Sequence, residues 1–287
     1  MPRVSKKQPV IELKVFNSGW VNTHKGIVLS GGGWEKLRVP AMFAMIRHPS
    51  KGIILYDTGY HTRFFEVTSR FPYNILKIFT PAEISEDQNA VRQLEKAGVS
   101  PDDVKIIIIG HGHVDHIPGL IDFPKAKVIV DRREWAFMQG SAFNLFRKGY
   151  LKPFCEGIHN EIELVNFTTQ GKRYSSFDAA VDLWGDKSMI LVPLEGHTVG
   201  QMGLIVNLSD GRRFFFVGDA AWISENYLKL KPPAFPVRTI LSSYREFRRS
   251  LHLLNDFHRE FPDVIIVPCH CPAVWEKLQS ISIAAER

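Results

Sequence analysis

The stretch Ile106-Ile107-Ile108-Ile109-Gly110-His111-Gly112-His113-Val114-Asp115-His116 sets an apolar run directly against four metal-seeking side chains. The isoleucines read as a buried strand, and Gly110 lets the chain turn at its end. Imidazole and carboxylate are donors that zinc and its neighbours prefer. Burying such groups without partners would be costly, so packing alone does not account for their density. Three more polar residues follow apolar runs in the same way. His197 comes after Met189-Ile190-Leu191-Val192, Asp219 after Phe214-Phe215-Phe216-Val217-Gly218, and His270 after Val264-Ile265-Ile266-Val267-Pro268. Taken singly, each is equally well a capping or backbone-bonded residue. Together, at strand ends that can converge on one sheet edge, they give five histidines and two aspartates, enough for two metal ions.

A chain of 287 residues holds one large domain or two small ones. The polar motifs run from the first half to the last thirty residues, so one unit over residues 1–287 is expected. No segment approaches the roughly 18–20 uninterrupted apolar residues of a membrane span. The basic start Met1–Lys7 lacks a following apolar segment, and Cys155, Cys269 and Cys271 suggest no disulfide framework; a cytoplasmic location is expected. The net charge is +6, but its basic residues cluster only in short pairs such as Lys6-Lys7, Arg132-Arg133 and Arg248-Arg249. No nucleic-acid partner is expected from so scattered a charge, although it would concentrate an anionic substrate.

Alternation predicts a first strand from Val10 to Phe16 and a hairpin of 40–47 with 52–56, turning at His48–Gly52. Ser85 and Gln88 form a capping box that opens a helix over 86–97, with Val91 and Leu94 inward and Gly98 as its stop. A second helix is expected over 243–257 on the spacing of Phe247, Leu251 and Leu254. Strands, a helix, further strands and a late helix suit two sheets covered by outer helices. Two connections carry many aromatic and aliphatic residues. Residues 60–84 include Phe64, Phe65, Phe71, Tyr73 and Phe79, and residues 222–238 include Trp222, Tyr227, Leu230 and Phe235. These fit an apolar substrate channel, and equally a capped core or a homodimer contact. Gly31-Gly32-Gly33 is a flexible loop without the helix that a phosphate cradle needs.

The order HxHxDH, Gly196-His197-Thr198, Gly218-Asp219-Ala220 and a late histidine resembles the metallo-β-lactamase superfamily, as does Asp57-Thr58-Gly59 after an early strand. The resemblance runs from about Val15 to about Val274. It implies a mixed α/β (α+β) fold, a four-layer αββα sandwich. It also implies His111, His113 and His197 on one metal, Asp115, His116 and His270 on the second, and Asp219 between them. Zinc is the expected metal, with manganese, iron or cobalt fitting the same donors. Thr198 and Asp57 would support the ligands, and Asp115 and Asp219 would be the catalytic carboxylates, Asp115 passing a proton to the leaving group. Cys269 and Cys271 flank His270 and are expected to point away from it in extended backbone, buried and not ligating.

In size and layout the chain is most similar to the N-acyl homoserine lactonases of that superfamily. The parallels are the aromatic-rich insertion after Gly59, the segment 98–104 leading into the HxHxDH strand, and Ala220-Ala221 after Asp219. The likeness implies quorum-quenching chemistry: a hydroxide held between two ions opens a lactone or related ester whose apolar tail lies among Phe64, Phe65, Trp222 and Tyr227. One departure matters, because those lactonases usually carry a tyrosine where this chain has Trp222, and indole donates from nitrogen without a phenol's acidity. Tyr60 and Tyr227 are candidate replacements. The alternatives are a phosphodiesterase or nuclease, which would want a contiguous basic groove, and a non-catalytic metal-dependent interaction module.

Overall fold

The computed structural model describes residues 11–281; Val10 and Lys6-Lys7 lie outside the described residues. Seven strands form the first sheet: β1 (Glu12–His24), β2 (Lys36–His48), β3 (Gly52–Tyr56), β4 (Ala82–Glu83), β5 (Val104–Ile108), β6 (Lys127–Asp131) and β7 (Ile162–Val165). Their order across the sheet is β4-β1-β2-β3-β5-β6-β7. The second sheet holds β8 (Lys172–Tyr174), β9 (Phe177–Asp182), β10 (Met189–Pro193), β11 (Met202–Asn207), β12 (Arg213–Gly218) and β13 (Ile265–Pro268), in the order β13-β12-β11-β10-β9-β8. The expected hairpin is present, with Arg47 opposite Ile53 and Ala44 opposite Tyr56.

Alternation along the strands divides the buried side chains among three layers. Met42, Ala44 and Ile46 of β2 meet Leu191, Leu204, Phe214 and Phe216 between the two sheets. Phe43 and Met45 point the other way, into a core with Leu94, Phe123, Met138 and Phe154. On the far side of the second sheet, Phe215 and Val217 pack against Phe247, Leu251, Leu254 and Phe257. Helices therefore cover both outer faces, giving the expected four layers. The Tyr56 hydroxyl ties the sheets together by donating to the Met202 carbonyl at 2.9 Å.

The helices depart from expectation where side chains redirect the backbone. The helix expected over 86–97 is a 3-10 turn, Glu86–Gln88, followed by a helix over Ala90–Lys96. Ser85 and Gln88 make the capping box, but Asn89 between the two pieces has an extended ψ of 140°. Its side chain accepts from the Thr62 amide at 3.0 Å, and the break follows from that tie. Leu94 is buried and Val91 only partly so. The late helix, Tyr244–Glu260, is capped by Ser243 and runs past its expected end to a C-cap at Phe261, whose ring packs against Phe257.

The aromatic insertions also fold differently from an open channel. Residues 63–79 form short helical turns, and Phe64 sits fully buried beside Tyr60 in the outer core of the first sheet. Phe65 is 38% exposed, while Phe71 and Ile78 are 79% and 77% exposed. Tyr227 is buried on the helix-covered face of the second sheet, its ring against His258. Phe64 and Tyr227 were expected to line a substrate channel. Both side chains are buried in outer cores.

Candidate metal centre

The polar residues singled out in the sequence follow strand ends along one rim of the two sheets. Asp57 follows β3, His111–His116 follow β5, His197 follows β10, Asp219 follows β12 and His270 follows β13. Gly110 is required at the end of β5, because an added Cβ would meet the Tyr56 hydroxyl at 2.6 Å. Its amide donates to Asp57 Oδ1 at 2.7 Å, which fixes where the histidine loop begins. Gly196 is required for a different reason. It has φ +119°, and a Cβ there would sit 1.9 Å from the Phe247 amide nitrogen, so only glycine brings the His197 loop onto the late helix.

Two buried donor groups result, and they share one residue. His111, His113, His197 and Asp219 place one donor atom each within 4.8 Å of one another, and His116, Asp219, Cys269 and His270 do the same. Asp219 Oδ2 lies 3.1 Å from His197 Nε2 and 4.0 Å from His111 Nε2. Its other oxygen, Oδ1, lies 3.3 Å from His270 Nε2 and 3.5 Å from His116 Nε2. Asp115 stands beside the second group, with Oδ2 3.1 Å from His270 Nε2 and 3.8 Å from His116 Nε2. Its side chain keeps 12% exposure, more than the 4% of Asp219.

Outer partners turn each histidine toward this centre. His116 Nδ1 bonds Asp57 Oδ2 at 2.7 Å, His113 Nε2 bonds the Lys148 carbonyl at 2.7 Å, and His270 Nδ1 bonds the Pro40 carbonyl at 2.7 Å. The second nitrogen of each ring is thereby aimed inward, the arrangement that metal-binding imidazoles use. Asp57 thus occupies the orienting place expected of it.

The centre is buried and polar, and part of it lacks protein partners, although His197 Nε2 meets His113 Nδ1 at 2.9 Å. Both nitrogens of His111 and Nδ1 of His197 are buried without a hydrogen-bond partner. A neutral imidazole left so would carry the full cost of an unmet donor and acceptor, whereas a cation facing its lone pair removes the acceptor's share. Burial, reinforced by His197, pulls His113 down to about 3, and burial holds His111 well below the usual histidine range. Burial opposes charge at His116, yet the Asp57 and Asp115 carboxylates outweigh it and hold this imidazole well above that range. Asp219 is held well below the carboxylate range, because His270 and His197 outweigh its burial. In the first group, His111 and His113 kept neutral beside a carboxylate that resists protonation fit divalent zinc or a close neighbour; in the second, Asp57, Asp115 and Asp219 supply negative charge that such a cation would balance.

Two supporting residues were not legible in the sequence. Glu134 is fully buried; its Oε1 accepts from the Gly112 amide at 2.9 Å and from the Tyr150 hydroxyl, and its Oε2 accepts from the Gly200 amide at 3.0 Å. It therefore staples the His111–His113 loop to the His197 loop. In Asp131-Arg132-Arg133-Glu134 it reads as one more charged residue at a helix start, and only its burial distinguishes it. Replacing Glu134 by glutamine leaves an amide NH2 facing a backbone N–H, so we expect a loss of about 1–3 kcal/mol in thermal or denaturant unfolding. Metal titration should also show roughly 10–100-fold weaker loading of the His111–His113–His197 group.

The other is Cys269. The expectation that it points away from His270 fails, because its Sγ lies 2.7 Å from Asp219 Oδ1 and 3.9 Å from His116 Nε2. Strand alternation ends at Pro268, and the Cys271 amide turns back onto the Pro268 carbonyl at 3.3 Å. Cys269 and His270 consequently join the same donor group, while Cys271 packs between the sheets as expected. Trp222 also reaches the centre: its ring centroid lies 6.2 Å from those of both His197 and His270, and its indole Nε1 is buried without a partner. Tyr60 is buried in the outer core of the first sheet, and its hydroxyl is held well above its usual range by burial and then by the Asp115 charge.

Comparison with known proteins agrees with this geometry. The family model described as the metallo-beta-lactamase superfamily matches residues 40–270. The N-acyl homoserine lactonase AttM of Rhizobium radiobacter is 25% identical over 272 residues, covering 92% of this chain and 95% of its own length. An N-acyl homoserine lactone hydrolase, solved with the product N-hexanoyl-L-homoserine at its catalytic metal center, superposes with a TM-score of 0.74 at 19% identity. The overlap covers 94% of this chain and 96% of that one. AidC, a dizinc quorum-quenching lactonase solved with a product, gives 0.63 at 16% identity, covering 93% and 89%. The solved structures agree in fold. With the family match spanning most of its length, and with the HxHxDH loop, His197, Asp219 and His270 gathered at one rim, this chain belongs to the metallo-beta-lactamase superfamily.

Proposed function

We propose that this metal-dependent hydrolase opens the ester ring of N-acyl homoserine lactones, or of closely related apolar-tailed esters, with two divalent ions. The observation that carries the two-ion reading is the division of Asp219, whose oxygens face separate donor groups. His111, His113, His197 and Asp219 Oδ2 would hold one ion, and His116, His270 and Asp219 Oδ1 the other, with Asp115 beside it. Bound there, such ions supply Lewis acidity and lower the pKa of water from 15.7 toward ~7, making hydroxide available at neutral pH. Zinc suits the donors, and manganese, iron and cobalt share them.

The protein's own groups then divide the remaining work. Asp115 is the carboxylate of the centre with the greater exposure, so it is placed to move a proton to the alkoxide released on ring opening. Trp222 offers its unpartnered indole N–H beside His197 and His270, a donor for a carbonyl oxygen of the substrate. It takes the place of the lactonases' tyrosine as a positioning residue. The lactonase reading draws on the named activity of AttM, which aligns over nearly the whole chain.

A phosphodiesterase or nuclease would want a contiguous basic groove beside the ions. Lys148, whose carbonyl binds His113, instead directs its ammonium to the Leu241 and Thr239 carbonyls at 2.6 and 3.3 Å. Assaying two-ion protein on a lactone and on a phosphodiester separates the readings, and faster phosphodiester cleavage would overturn ours. Trp222→Phe keeps the ring and removes the N–H. It should lower kcat/KM for the lactone about tenfold, the worth of about one hydrogen bond. An unchanged kcat/KM would deny Trp222 this role.

A further inference from the structure

We propose that Cys269 supplies a sulfur donor to the ion position built from His116, His270 and Asp219 Oδ1. The two positions of the centre are then chemically unequal. This rests on the two-ion reading above and assigns a residue that reading leaves out.

The thiol is held in place by its backbone. The Cys269 carbonyl accepts from the Met42 amide at 3.1 Å, and its own amide donates to the Gly218 carbonyl at 3.5 Å. These bonds pin residue 269 between the end of β12 and the middle of β2. Its Sγ therefore stays against Asp219 Oδ1 and near His116 Nε2, at 2.7 and 3.9 Å. The donor atoms of His116, Asp219, Cys269 and His270 all fall within 4.8 Å of one another, so four donors converge even without Asp115.

Packing is the plainer role for a buried cysteine, and the other two fill it. Cys155 belongs to the outer core of the first sheet and Cys271 to the core between the sheets. Cys269 is 5% exposed yet belongs to none of the three apolar cores among the described residues. Its neighbours are a carboxylate and an imidazole. The Asp219 oxygen that the thiol meets also faces His270 Nε2 at 3.3 Å and His116 Nε2 at 3.5 Å, so the sulfur stands among converging donors and not among apolar side chains.

Coordination replaces the S–H bond by a sulfur–metal bond and releases the thiol proton to solvent, so charge and atoms balance. A thiolate is softer than carboxylate or imidazole. It should bias this position toward zinc or cobalt and against manganese. The His111–His113–His197 position, with nitrogen and oxygen donors alone, carries no such bias.

The test is the absorption spectrum of reduced, cobalt(II)-loaded protein. The expected result is a near-ultraviolet thiolate-to-cobalt charge-transfer band, abolished by Cys269→Ser and retained in Cys271→Ser. Visible d–d bands report cobalt in place independently of the sulfur. If those bands appear without the charge-transfer band, or if the band survives Cys269→Ser, the sulfur donor is overturned while the two-ion centre stands. If no cobalt enters, both fall. Should Cys269→Ser fail to fold, zinc X-ray absorption on the unaltered protein decides: a sulfur scatterer at about 2.3 Å supports the proposal, and nitrogen and oxygen scatterers alone overturn it. No substrate is used, so lactone turnover has no bearing on the outcome.

Discussion

Asp219→Ala is expected to lower hydrolysis by more than about 1,000-fold, beyond the 10²–10³ typical of removing a single electrostatic donor. The size follows from the division of the side chain. Oδ2 faces His197 and His111, while Oδ1 faces His270 and His116, so one substitution takes a donor from both ion positions. It also removes the carboxylate that lies among buried imidazoles and stays ionised there. Metal analysis of the purified variant should find fewer than two ions per chain, and the kinetic loss should persist at saturating substrate. Full activity with one ion bound would show that the two groups do not act together.

Asp57→Asn is the second large effect, and it acts through His116. Asp57 Oδ2 accepts from His116 Nδ1 and Oδ1 from the Gly110 amide, each at 2.7 Å, so one carboxylate sets both a ring and the start of its loop. Asparagine cannot accept at both ends. One contact must become an N–H facing an N–H, or the His116 ring must change tautomer. The backbone itself tolerates the exchange, since Asp57 has φ +60° and asparagine enters the left-handed region as readily as aspartate. The fold should therefore survive while affinity for the second ion falls about 10–100-fold, as read by metal titration against a competing chelator. Unchanged affinity would mean that the Asp57–His116 contact is incidental to the centre.

The features legible in the sequence are those encoded over short spans. Apolar runs ending in His111–His116, His197, Asp219 and His270 announced strands whose ends meet, and the hairpin of β2 with β3 followed from alternation and its turn. The order of these motifs carried the fold family. What escaped depended on direction and on tertiary contact. Cys269 follows the last residue of β13, where alternation no longer says which way a side chain points. Glu134 resembles any acidic residue near a helix start until Gly112, Gly200 and Tyr150 are brought to it. Phe64 and Tyr227 show that aromatic content marks burial without saying which layer receives it. The helix expected over 86–97 breaks at Asn89 because a side chain distant in sequence, Thr62, competes for it.

The most direct test of lactone opening by a two-ion centre is proton release at neutral pH from protein carrying two ions, offered short- and long-chain N-acyl homoserine lactones. Our account predicts rapid release that favours the longer chains and stops when a chelator strips the metal. Two-ion protein that releases no protons from either lactone would contradict it.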